Sequence, residues 1–146
     1  MRDNQLIMYL FQRFCWLDDG LQARLHDRGW PDVSRAQSMV MVNVLSGHVR
    51  PAEIARRMGV SRQAIHTTIA QLAEMGILTL EPDPDDRRQR RVAVTEYGAR
   101  MRSDAQQAMD AVSAAVKGAL GEARYDALLD ALEADWGPAP TGRPPG

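Results

Sequence analysis

Two short helical stripes joined by a tight turn constrain this chain more than any other feature. From Pro51, apolar Ile54, Ala55 and Met58 recur at helical spacing until Gly59, and Ser61 then stands where a helix cap is needed. Ile65, Ile69 and Leu72 mark a second helix that reaches about Met75 before Gly76 ends it. Pro51 suits the first turn of its helix, because an N–H there would have no intrahelical partner. Helices this short, joined by so brief a turn, have to brace each other, which is helix-turn-helix geometry. On the second helix Gln63, His66, Thr67, Ala70 and Glu74 fall opposite the apolar stripe, so a polar face is left free.

Next come two β-prone runs, Ile77 to Glu81 and Val92 to Val94, separated by ten residues that include Pro82, Pro84, three aspartates and the cluster Arg87-Arg88-Gln89-Arg90-Arg91. They read as a hairpin with a long basic tip. Four arginines within five residues repel one another unless an anion lies between them, and the narrow minor groove of A·T-rich DNA is such an anion. A carboxylate among Asp83, Asp85 and Asp86 can hold one arginine in a fixed rotamer for insertion. Net charge supports this division of labour. Residues 50–102 carry ten arginines against seven acids, whereas residues 103–146 carry seven acids against Lys117, Arg124 and Arg143. A near-neutral total of −1 therefore hides a basic middle and an acidic end.

Helix-turn-helix physics assigns roles to the free face. Ser61 and the helix N-terminus can hold a phosphate, Arg62 a phosphate or guanine, and Gln63 an adenine, while His66 shares their face and Thr67 or Thr68 can meet a thymine methyl or a phosphate. Glu74, at the far end, points away from DNA.

The flanks are helical. Leu6, Leu10, Phe14, Leu17, Leu21 and Leu25 form a stripe over a first helix from Gln5 to about Arg28, and Ile7 and Phe11 make it greasier than one contact requires. Ser34 and Gln37 form a capping box for a second helix reaching Ser46. Thr95 caps a fifth helix with its stripe at Met101, Ala105, Ala108, Met109, Val112 and Val116. After Gly118 to Gly121, a last helix aligns Tyr125, Leu128, Leu132 and Trp136. Residues 137–146, with four prolines and three glycines, read as a disordered tail.

Several classes of function drop out. Apolar runs such as Leu6 to Phe11 and Met39 to Val42 are far short of the ~20 residues of a membrane span. The opening Met-Arg-Asp-Asn-Gln lacks a secretory pattern, so a soluble, cytoplasmic protein without a membrane partner is expected. The one cysteine, Cys15, cannot form an internal disulfide or a cysteine-based metal site, and His26, His48 and His66 lack ligand spacing. With no nucleophile elbow, phosphate loop or paired catalytic carboxylates, no enzyme, catalytic residue, metal or cofactor is expected.

The run Pro51-Ala52-Glu53-Ile54-Ala55-Arg56-Arg57-Met58-Gly59-Val60-Ser61, then Leu72-Ala73-Glu74-Met75-Gly76-Ile77-Leu78, and Asp86-Arg87-Arg88 followed by Thr95-Glu96-Tyr97-Gly98, resembles the MarR family of winged helix-turn-helix regulators over about residues 5–136. The resemblance implies a homodimer paired through its terminal helices, with Arg88 entering the minor groove and Asp86 orienting it. It also implies release by a small-molecule effector, aromatic or acidic, lodged where the first, second and fifth helices meet the winged lobe, with Trp16, Trp30 and Ser38 as cleft residues. Two positions depart from relatives. Ser38 stands where many have an aromatic residue, and Ile7 stands where the peroxide-sensing branch has its cysteine, so peroxide sensing is not carried over.

The expectation is therefore a mainly α chain in four parts. Residues 1–33 form a dimerisation helix, 34–100 a winged DNA-binding lobe, 101–136 two further dimerisation helices and 137–146 the tail. Its expected function is sequence-specific binding of double-stranded DNA at a pseudo-palindromic operator, most simply as a repressor, with Asp86, Arg87, Arg88 and Arg90 as the wing contacts. The alternative is a winged-helix protein-interaction module without sequence-specific DNA binding.

Overall fold

The structure, a computed structural model, describes residues 2–142. Its elements are α1 (Leu6–Asp27), α2 (Arg35–Leu45), α3 (Pro51–Met58), α4 (Arg62–Glu74), β1 (Leu78–Pro82), β2 (Arg90–Val94), α5 (Glu96–Leu120) and α6 (Glu122–Glu133). This is the mainly helical winged helix-turn-helix expected from the sequence. Two compact units divide within α5, one running up to Val112 and the other starting at Ser113.

In the first unit, α2, α3 and α4 enclose a core of Val40, Ile54, Ile65, Ile69 and Leu72, each at most 1% exposed. The start of β1 (Leu78), Val92 of β2 and Met101 of α5 close it. Each helix boundary has a local cause. Ser34 accepts the Gln37 N–H at 3.2 Å while the Gln37 side chain accepts the Ser34 N–H at 2.9 Å, the reciprocal capping box. Pro51 opens α3, and Gly59 ends it at φ +66°, a left-handed conformation that glycine adopts without a Cβ penalty. Ser61 caps α4 by accepting the Ala64 N–H at 3.1 Å.

The wing is an antiparallel pair with Leu78 opposite Val94, Glu81 opposite Arg91 and Pro82 opposite Arg90. The second strand starts earlier than hydropathy indicates. Arg91 continues the ladder because Glu81 across from it offers a carboxylate 2.8 Å from its guanidinium, which takes one of the four arginines out of the basic tip. Residues 83–89 thus form the tip, and Arg90 belongs to the strand.

The Thr95 and Gly98 pair of the motif has a packing reason. Thr95 donates its N–H to the Ile77 carbonyl at 3.1 Å, and its hydroxyl oxygen accepts the Gly98 N–H at 2.9 Å. This brings α5 so close to β1 that a Cβ on residue 98 would stand 2.2 Å from the Ile77 carbonyl oxygen.

Elsewhere the expected elements shift. In α5 the helix continues through Gly118 to Leu120, and α6 stops at Glu133, so Trp136 lies beyond it with its indole N–H on the Ala131 carbonyl. Residues 137–142 form no helix or strand, and 143–146 of the expected disordered tail lie outside the described residues. The α1 stripe is covered unevenly. Leu25 is buried and Phe14, Leu17 and Leu21 are half-buried, whereas every residue from Leu6 to Phe11 is exposed.

Candidate nucleic-acid interface and cavity

On α4 the two faces separate as the pattern requires. Ile65, Ile69 and Leu72 face the core, while Arg62, Gln63, His66 and Thr67 are exposed and Thr68 is half-buried. The side chains of Arg62, Gln63 and His66 make no hydrogen bond or ion pair among the described residues, and so are free to meet a ligand. The two threonines are not equally free. Thr67 donates its hydroxyl to the Gln63 carbonyl and Thr68 to the Ala64 carbonyl, both at 3.0 Å. Each has spent its donor within the helix. Ser61, likewise, uses its hydroxyl oxygen on the cap.

At the wing tip Arg87, Arg88 and Arg90 are exposed and unpaired among the described residues. Asp86 acts on Arg88 differently from the expectation. Its carboxylate accepts the backbone N–H of Arg88 at 3.1 Å, and its carbonyl accepts the Gln89 N–H at 3.0 Å. The aspartate shapes the turn carrying Arg88, and the expected contact with the guanidinium is not made. Asp83 is buried and pairs outside the wing, its Oδ2 accepting from Arg50 Nε at 2.7 Å. The Asp85 backbone N–H, and after it Arg50, hold the Asp83 carboxyl below the usual carboxylate range.

A cavity of about 190 Å³ opens between α1, α2 and α5 in the first unit. Phe14, Leu17 and Leu21 line one side, Met41 and Val42 another, and Met101 and Met109 a third. Its polar groups are few and connected. Gln22 donates to Ser38 Oγ at 3.0 Å and to Asp18 at 3.3 Å, and Asp18 accepts from Arg35 at 2.9 Å. Asp18 is 6% exposed, and a carboxylate so buried requires such a cation. The same hydrogen bond is the main reason the Arg35 guanidinium is held above its ordinary value, with Asp19 second. Arg102 also lines the cavity and makes no ion pair among the described residues.

Of the three expected cleft residues, only Ser38 lines this cavity. Trp16 is 46% exposed on another side of α1. Trp30 packs on Tyr97 with ring centroids 5.1 Å apart and donates its indole N–H to Asp104 at 2.7 Å, so it serves packing. Asp18, Gln22, Arg35 and Arg102, none of them expected from the sequence, supply the charged and amide groups in and beside the cavity. One signal was present, since Asp18 follows Phe14 by one helical turn and so interrupts the apolar face with an acid.

Among the described residues, no helix is long and apolar enough to cross a membrane, and no cluster of side chains could hold a metal ion.

The MarR family model matches residues 32–89. Comparison with curated proteins finds no match. Among solved structures, the chain is similar to wild-type MarR of E. coli in its apo form, at 21% identity over 90% of this chain and 96% of that one, with a TM-score of 0.68. It is similar to CouR of Rhodococcus jostii, crystallised with p-coumaroyl-CoA, at 25% identity over 89% and 91% of the two chains, with a TM-score of 0.64. It is also similar to Bordetella bronchiseptica BpsR, whose DNA binding is regulated by 6-hydroxynicotinic acid, at 18% identity over 92% and 98%, with a TM-score of 0.64. Residues 32–89, the winged module, thus match the MarR family model, and over most of its length the chain shares the fold of solved transcriptional regulators such as MarR of E. coli.

Proposed function

We propose that the protein is a dimeric, sequence-specific DNA-binding repressor, acting in the cytoplasm and released by a small acidic ligand. One observation carries the DNA reading. The unpaired polar face of α4 and the unpaired arginines of the wing tip belong to one compact unit, so a major-groove reader and a minor-groove reader are built into a single module. Arg62 and Gln63 have free donors for guanine or adenine edges or for phosphate. Thr67 and Thr68, with their donors spent, serve thymine methyl contact better than phosphate binding. Ser61 contributes by setting the N-terminus of α4, and His66 lies one turn beyond Arg62 on the same face. Arg87, Arg88 and Arg90 reach the flanking minor groove, with Asp86 fixing the turn that carries Arg88.

Dimerisation accounts for the apolar ends. Ile7 at 74% exposed and Phe11 and Trp136 at 61% are too apolar and too clustered with their neighbours for a lone chain's surface. Two copies place two α4 helices on successive major grooves, about 34–36 Å apart.

The cavity suits a ligand of one aromatic ring, since about 150 Å³ of apolar space holds benzene. Arg102 supplies the charge for a carboxylate, and Ser38 with Gln22 supplies hydrogen bonds. A free acid of the size of 6-hydroxynicotinic acid fits this description, whereas most of a coenzyme A thioester would lie outside. Such a ligand releases DNA only by binding the non-DNA arrangement more tightly than the DNA-bound one.

Selection of bound duplexes from a random pool at two salt concentrations tests the reading. A palindrome with half-sites one helical turn apart is expected, and Gln63→Ala should relax the preference at one position per half-site. Binding without an enriched motif that vanishes as salt rises would replace the regulator with a winged module that meets a protein partner.

A further inference from the structure

We infer that Arg50 and Asp83 are the positioning pair of the wing, a salt link that sets where Arg88 stands relative to the helix-turn-helix. The inference rests on the proposed DNA reading and adds to it how the two reading elements are held in register. Asp83 follows β1 directly and sits between Pro82 and Pro84, and its side chain is 4% exposed. Both of its carboxylate oxygens are used. Oδ2 accepts from Arg50 Nε at 2.7 Å, and Oδ1 accepts the Asp85 N–H at 2.9 Å. Its own N–H donates to the Gln89 carbonyl at 3.0 Å and closes the tip loop.

Arg50 belongs to the other element. It is the residue preceding α3, held in the extended region at φ −91° and ψ 125° as a residue before proline must be. Next to it, the Val49 carbonyl accepts the Val92 N–H at 2.7 Å, so the wing root is tied to the start of α3 by main chain as well as side chain. A continuous series of hydrogen bonds thus runs from the start of α3 through Arg50 and Asp83 to Gln89, and through Asp86 to the backbone of Arg88.

Only the carboxylate of this pair is buried, with Arg50 41% exposed, so desolvation of Asp83 offsets part of the attraction and the link serves chiefly to favour one arrangement over others. An apolar pair would hold the wing root without direction. The Arg50 and Asp83 pair admits a single geometry, and the tip turn is built outward from it.

The test uses the full-length protein and the duplex most enriched in the random-pool selection, with Asp83→Asn and Arg88→Ala measured singly and together. Asp83→Asn should weaken binding by about tenfold and erase hydroxyl-radical protection in the flanking minor groove, while protection in the major groove persists. In the Arg88→Ala background the same change should cost less than about twofold, because the contact that the pair positions is already gone. Equal losses in both backgrounds, or no loss in either, overturn the inference. An Arg88→Ala protein that binds as tightly as the unaltered one overturns the wing reading itself. If Asp83→Asn fails to fold, Arg50→Lys takes its place. It leaves the buried charge compensated but loses the directed Nε contact, and the same non-additivity with Arg88→Ala is expected.

Discussion

The winged module and the ends of the chain treat their apolar residues in opposite ways. In the module, Ile54, Ile65, Ile69 and Leu72 are all but inaccessible, and the exposed face of α4 is polar. At the start of α1, six consecutive residues from Leu6 to Phe11 are apolar or aromatic and all exposed, and α6 buries none of its residues. The module completes its interior with its own residues, whereas the ends leave theirs unfinished. The hydrophobic effect is blind to chain identity, so unfinished apolar surface is completed by a second copy as readily as by the chain's own residues.

The largest effect should come from breaking the unfinished side. Phe11→Asp is expected to yield monomers in analytical ultracentrifugation and to lower operator affinity by about a hundredfold or more, since a bivalent hold becomes monovalent. A dimer that survives would transfer the apolar end to another partner. On the finished side, Ile69→Ala should destabilise by about 2–5 kcal/mol in denaturant unfolding. The comparison sharpens with concentration. The loss from Ile69→Ala should not depend on it, whereas a loss from Ile7→Ala should be greatest at high concentration and shrink as dilution dissociates the copies.

Gly98→Ala tests the junction between α5 and β1 and should cost about 1–3 kcal/mol, because its Cβ meets a backbone carbonyl that cannot rotate away. No measurable loss would mean that α5 can shift along the wing. Ser34→Ala, which removes half of the capping box, should cost about 0.5–2 kcal/mol.

The smallest effect concerns pH. With its carboxyl held below the usual range, Asp83 contributes stability that is fully present above its unfolded value and is lost as pH falls through its folded one. The gap in unfolding midpoint between the unaltered protein and Asp83→Asn should therefore narrow on acidification below about pH 4. A constant gap would mean that the carboxylate gains nothing from Arg50 and the Asp85 N–H.

Much of this was legible in the sequence, because it depended on neighbours in sequence. Pro51, Gly59, Ser61 and the Ser34 and Gln37 box fix helix ends through backbone groups a few residues away, and the stripe of Ile65, Ile69 and Leu72 announces a buried face by its period alone. The residues facing outward from α4 followed from those periods, and a cleft among the first, second and fifth helices was expected from the family resemblance alone. Tertiary structure decided what distance in sequence conceals. Glu81 neutralises Arg91 across the hairpin, Asp83 turns to Arg50 rather than to a wing arginine, and Trp30 goes to Tyr97 and Asp104 and leaves the cavity to Asp18, Gln22, Ser38 and Arg102. A helical or strand period tells which face a side chain is on. Which charge meets which depends on how the faces are brought together, and a pattern along one chain does not contain that.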